Sequence, residues 1–101
     1  MREQMDKFKN LLKENTNPHL KSSIDDIIKY LTENKPKIYY KLKYPTQTYY
    51  TEFELNGEKI EIDIEEPLPI LTPIVIINRW QENTGKNRKL LNVIKDILKN
   101  Q

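Results

Sequence analysis

The dipeptide Asn56-Gly57 constrains the fold of this chain more than any other feature. It separates two runs, 49–55 and 58–65, in which polar and apolar residues alternate. A two-residue loop of this composition favours a type I′ turn, because both central residues must take positive φ and Asn and Gly tolerate it best. Such a loop sets the register. It pairs Leu55 with Glu58, Glu54 with Lys59, Phe53 with Ile60, Glu52 with Glu61, Thr51 with Ile62 and Tyr50 with Asp63. Partners across a ladder share a face, and here their characters agree. Tyr49, Thr51, Phe53, Leu55, Ile60, Ile62 and Ile64 form one apolar side, and Leu55–Glu58 at the turn is the only mixed pair.

A third alternating run precedes these two. In 37–44, Ile38, Tyr40, Leu42 and Tyr44 fall on one face, with Lys37, Tyr39, Lys41 and Lys43 on the other. A four-residue loop over 45–48 pairs Tyr44 with Tyr49, Lys43 with Tyr50, Leu42 with Thr51, Lys41 with Glu52 and Tyr40 with Phe53, again with matched faces. The reading is a three-stranded antiparallel meander. Lys37, Tyr39, Lys41, Lys43 and Tyr50 then make a basic-aromatic face. Cations beside flat rings suit single-stranded nucleic acid. In this register, however, the lysines lie beside Glu52 and its neighbours, and the face reads mainly as compensated and solvated.

Helical spacing flanks the meander. Met1, Met5, Phe8, Leu11 and Leu12 predict a helix over 1–15. Leu20, Ile24, Ile27, Ile28 and Leu31 predict a second, capped by Asn17 with Pro18 at its first position and ending near Asn34 before Pro36. Leu90, Leu91, Ile94, Ile97 and Leu98 predict a last helix from Asn87 to about Asn100. The segment 73–83 is ambiguous. Its β-branched run, 74–77, suits a buried strand, but Thr72-Pro73 looks like a helix start and Asn83-Thr84-Gly85 a helix stop, so a short helix is expected. The fold class is therefore α+β: a single domain spanning 1–101, with a three-stranded meander covered on one face by two N-terminal helices and a C-terminal helical region.

Composition narrows the function more by exclusion than by indication. Lysine and arginine number 17 and acids 15, so net charge gives no strong pull toward nucleic acid or membranes. Cysteine is absent, which excludes disulfides and thiolate chemistry. The charged start of the chain does not read as a signal peptide, and no apolar run is long enough to span a bilayer. These features predict a soluble cytoplasmic protein without membrane association. There is no alanine, and Ile, Lys and Asn supply 37 of 101 residues. That bias points to an A/T-rich genome and is common in phage and mobile-element proteins.

No catalytic set assembles from the sequence. His19 is the only histidine, so neither a triad nor a multi-histidine metal site can be built, and it reads as an exposed residue near a helix start. Two glycines do not make a phosphate loop. Glu61, Asp63 and Glu65 share a strand face at about 7 Å spacing. A metal-dependent nuclease is a remote reading of that trio, since any half-buried strand shows the same pattern. The expectation is no enzyme, no cofactor and no metal.

The remaining candidate is the segment "NRWQENTGKNRK". Arg79, Trp80, Lys86, Arg88 and Lys89 crowd together with Glu82 as the one acid, and Trp and Arg are enriched at binding hot spots. The sequence thus predicts a small protein-binding module, of the kind that modulates or inhibits a host protein, with this cluster as its interaction surface. A nucleic-acid regulator using 79–89 is the alternative, and a homodimer through a sheet edge is a further option.

Overall fold

The computed structural model describes residues 17–68 and 72–101. Among them the chain forms two helices, α1 (Ile24–Asn34) and α2 (Asn87–Lys99), and five strands. The strands are β1 (Tyr39–Lys43), β2 (Thr46–Leu55), β3 (Glu58–Pro67), β4 (Ile74–Ile77) and β5 (Trp80–Glu82). They make one antiparallel sheet in the order β1-β2-β3-β4-β5. The expected three-stranded architecture is thereby corrected to five strands, with one described helix before the sheet and one after it. The helix expected over 1–15 lies outside the described residues.

The β2–β3 hairpin has the register that Asn56-Gly57 dictates, from Leu55↔Glu58 through Tyr50↔Asp63, and it continues to Thr46↔Pro67. Both turn residues take positive φ, 52° at Asn56 and 78° at Gly57. Glu58, the one mismatched partner, has a separate task. Its carboxylate accepts the Lys21 amide at 2.7 Å, the Ser22 amide at 3.0 Å and the Ser22 hydroxyl at 2.9 Å. The turn thus clasps the loop leading into α1.

Segment 73–83 is not a helix. It is a second tight hairpin in which Ile77 pairs with Trp80 across the loop Asn78-Arg79. Both loop residues again take positive φ, 50° and 68°, the signature of a type I′ turn. Asn78 makes this turn affordable through its side chain, whose Oδ1 accepts the Glu61 amide at 2.8 Å and whose Nδ2 donates to the carbonyls of His19 and Lys59. Pairing of β4 with β3, Ile64↔Val75 and Ile62↔Ile77, buries Val75 and Ile77 of the β-branched run that suggests a strand.

Helix α1 also begins later than expected. Ser23 is its N-cap, accepting the Asp26 amide at 3.1 Å. Asn17 is instead turned inward and nearly fully buried. Its Nδ2 donates to the Ile77 carbonyl at 2.6 Å and to Glu82 Oε2 at 2.9 Å, which ties the entering chain to the β4–β5 hairpin. The helix ends as expected at Asn34, with Lys35 in the left-handed region. Helix α2 matches its predicted span closely.

The core lies between the helices and one face of the sheet. Ile27, Ile28 and Leu31 of α1 and Leu90, Leu91, Ile94 and Ile97 of α2 meet Tyr49, Ile60, Ile62, Ile64, Val75 and Ile77. No described helix covers the opposite face, where Glu52, Glu54 and Glu61 lie near Lys59 and Asp63 and Glu65 lie farther along β3.

Candidate interaction surfaces

The β1 register differs from the sequence expectation, and the difference changes the chemistry of that strand. Tyr44-Pro45 alone forms the loop, so Tyr39 pairs with Tyr50, Tyr40 with Tyr49, Lys41 with Thr48, Leu42 with Gln47 and Lys43 with Thr46. The strand has slid by four residues along β2, since Tyr40 meets Tyr49 where Phe53 was expected. Lys41 and Lys43 therefore lie beside threonines, not beside Glu52. Among the described residues, Lys37, Lys41 and Lys43 form no ion pair. The compensation expected from Glu52 is therefore not made among the described residues.

The slide also carries β1 off the core. Ile38 is buried, but every residue of β1 is exposed. Tyr39, Tyr40, Leu42 and Tyr44 are 57%, 42%, 54% and 80% exposed. Three of them were expected on the buried face. Yet the strand is held firmly at its root. Thr51 Oγ1 donates to the Lys37 carbonyl at 2.8 Å. Gln101 accepts the Ile38 amide at 2.6 Å and donates to its carbonyl at 2.9 Å. Tyr40 donates to Gln47 Oε1 at 2.6 Å, and its ring lies 5.2 Å from that of Tyr49. Beneath this tip Glu66 is buried, paired with Lys95 at 2.9 Å, and receives the Tyr49 hydroxyl. Burial and the Glu66 charge push the Tyr49 phenol up to about 12.

The 79–89 segment is divided by the fold. Arg79 and Trp80 belong to the β4–β5 turn, and Lys86, Arg88 and Lys89 to the start of α2. Lys86 is not free, since both Asp25 carboxylate oxygens accept from it at 2.6 Å. That contact, with Lys89 adding a weaker pull, holds the Asp25 carboxyl below the usual range. Arg88 and Lys89 are exposed. Trp80 is half-buried, edge-on to the His19 ring at 6.4 Å, and its enclosed Nε1–H meets no acceptor among the described residues. Arg79 is exposed and lines an open hollow of about 360 Å³ with His19, Lys59, Glu61 and Asn78.

The acidic face carries no metal geometry, since no three His, Cys, Asp or Glu side chains converge on one point among the described residues. Burial, then repulsion from Glu65 and Glu61, pushes the Asp63 carboxyl up. Among the described residues, no helix is long and apolar enough to cross a membrane. Comparison with protein-family models, with curated proteins and with solved structures finds no match for this chain.

Proposed function

We propose that the protein is a non-enzymatic binding module that engages another protein through the β1 edge, in the manner of a small modulator or inhibitor. One observation carries this reading. Among the described residues, four of the five exposed large apolar side chains, Tyr39, Tyr40, Leu42 and Tyr44, stand on a single anchored hairpin. Exposed apolar clusters rimmed by polar residues are typical of interaction sites. Lys41 and Lys43 supply that rim, and among the described residues neither forms an ion pair. Arg79 and Trp80 are proposed as a second, smaller contact at the opposite edge of the sheet, with Arg88 and Lys89 as its outlying cations.

The test is capture by the immobilised chain from a lysate of the source cells, with and without nuclease. The expected result is a protein that is retained regardless of nuclease and lost when Leu42→Ser and Tyr44→Ser are introduced together. Both residues are exposed, so the double variant should melt within a few degrees of the parent. Capture that nuclease abolishes would transfer the site to nucleic acid. Capture unaffected by the double variant would remove β1 from the account.

A further inference from the structure

We propose that the β1 edge is completed by a sixth strand, an extended partner segment in which acidic and apolar side chains alternate. This inference rests on the binding-module reading and specifies its occupant. Among the described residues β1 and β5 are the edges of the sheet, and each presents backbone groups that a further strand can pair. β5 is three residues long, whereas β1 has five and is fixed at its root by Thr51 and Gln101. Its edge is therefore already in the geometry that an added strand requires.

The side chains select the occupant. On one face of β1 stand Tyr39, Lys41 and Lys43, and on the other Tyr40 and Leu42. A strand laid about 4.8 Å beyond β1 puts one alternate set of its side chains beside the lysines and the other beside Tyr40 and Leu42. Acids on the first set and apolar groups on the second complement both faces. The inboard neighbours of the two lysines, Thr48 and Thr46, are neutral, so β2 offers them no opposite charge where an outboard strand can. A second copy of β1 does not meet this demand. Antiparallel pairing with faces preserved sets the lysine-bearing face against its own equivalent, and like charges opposite one another destabilise a ladder. A nucleic-acid strand is disfavoured by the other side of β1. Phosphates lying over the lysines would leave the backbone groups of the edge and the Tyr40–Leu42 face without a partner.

Short fluorescent peptides test this directly against the full chain by anisotropy. One alternates glutamate with isoleucine between proline flanks, and one has lysine in place of glutamate. A third is the glutamate peptide with alternate backbone nitrogens methylated, and oligothymidylate is the fourth probe. The glutamate peptide should bind at least about tenfold more tightly than the lysine peptide. Methylation should abolish binding, because it removes ladder donors while leaving charge unchanged. In the Lys41→Glu, Lys43→Glu double variant the preference should reverse toward the lysine peptide, which a misfolded variant could not do. Equal binding of the methylated peptide, or no preference for glutamate, overturns strand addition. Tighter binding of oligothymidylate overturns it in favour of nucleic acid. The two readings fail separately. If a captured protein depends on Leu42 and Tyr44 but is not displaced by the glutamate peptide, the module stands and strand addition is wrong. If no protein is captured, the module reading falls.

Discussion

Arg79 occupies the left-handed region at φ 68° with no glycine to ease it, and that conformation costs an L residue roughly 1–2 kcal/mol. It forms no hydrogen bond or ion pair among the described residues, so the fold gains nothing visible from its guanidinium. Arg79→Gly should therefore raise stability by about 1 kcal/mol in urea unfolding while weakening capture of the partner. A loss of stability would mean that the side chain supports the fold. Glu82 is a second residue working against the fold. Burial pushes its carboxyl up, and the hydrogen bond from Asn17 offsets this only in part. A folded carboxyl held above its unfolded value is most favourable when protonated, so its contribution declines as pH climbs from about 4 through the raised value. Glu82→Gln keeps an acceptor for Asn17 and should stabilise the protein at neutral pH, with the advantage vanishing near pH 4. Urea midpoints at the two pH values decide this, and an equal advantage at both would show that ionisation is not the cause.

At the scale of elements, legibility depended on whether a local signal had one meaning. Asn56-Gly57 has one, and the β2–β3 register followed residue by residue. Helix α2 was equally clear because five apolar residues at helical spacing share a face. Asn78-Arg79 forms the same class of turn, but without glycine it did not announce itself, and Thr72-Pro73 imitated a helix start. The β1 slip escaped for a different reason. Sliding a strand by an even number of residues keeps every face matched, so alternation cannot separate the two registers. Alternation alone therefore places Tyr40, Leu42 and Tyr44 in the core and the lysines beside Glu52, whereas the structure exposes those three side chains and sets Lys41 and Lys43 beside threonines. The observed register predicts that Lys37, Lys41 and Lys43, all changed to Gln, leave stability within about 0.5 kcal/mol of the parent. A larger loss would restore the ion pairs that the slip removes. The clasp at Glu58 predicts the opposite behaviour. Glu58→Ala leaves the amides of Lys21 and Ser22 without their carboxylate and should cost about 2 kcal/mol. An unchanged unfolding midpoint would mean that the loop before α1 does not depend on this hairpin.

For the whole molecule, the two edges of the sheet are unequal. The β5 edge is short and docked through Asn17, Asn78 and Trp80 against the chain entering α1. The β1 edge is longer, anchored at its root by Thr51 and Gln101, and carries four of the five exposed large apolar side chains among the described residues. Helices cover one face, while on the other acids predominate across β2 and β3 around the single Lys59, and lysines stand at β1. The candidate site was half legible in advance. The basic-aromatic character of 37–50 stood in the sequence, but its lack of compensation is a property of register. The 79–89 cluster looked uniform in sequence because proximity along the chain hides Asp25, which takes Lys86 out of it. The proposed docking at the β1 edge has a direct readout. Amide hydrogen exchange of the chain, free and bound to its captured protein, tests that docking most directly. Protection concentrated over residues 39–44 is the predicted result, and protection centred on 79–89 with none in β1 would contradict it.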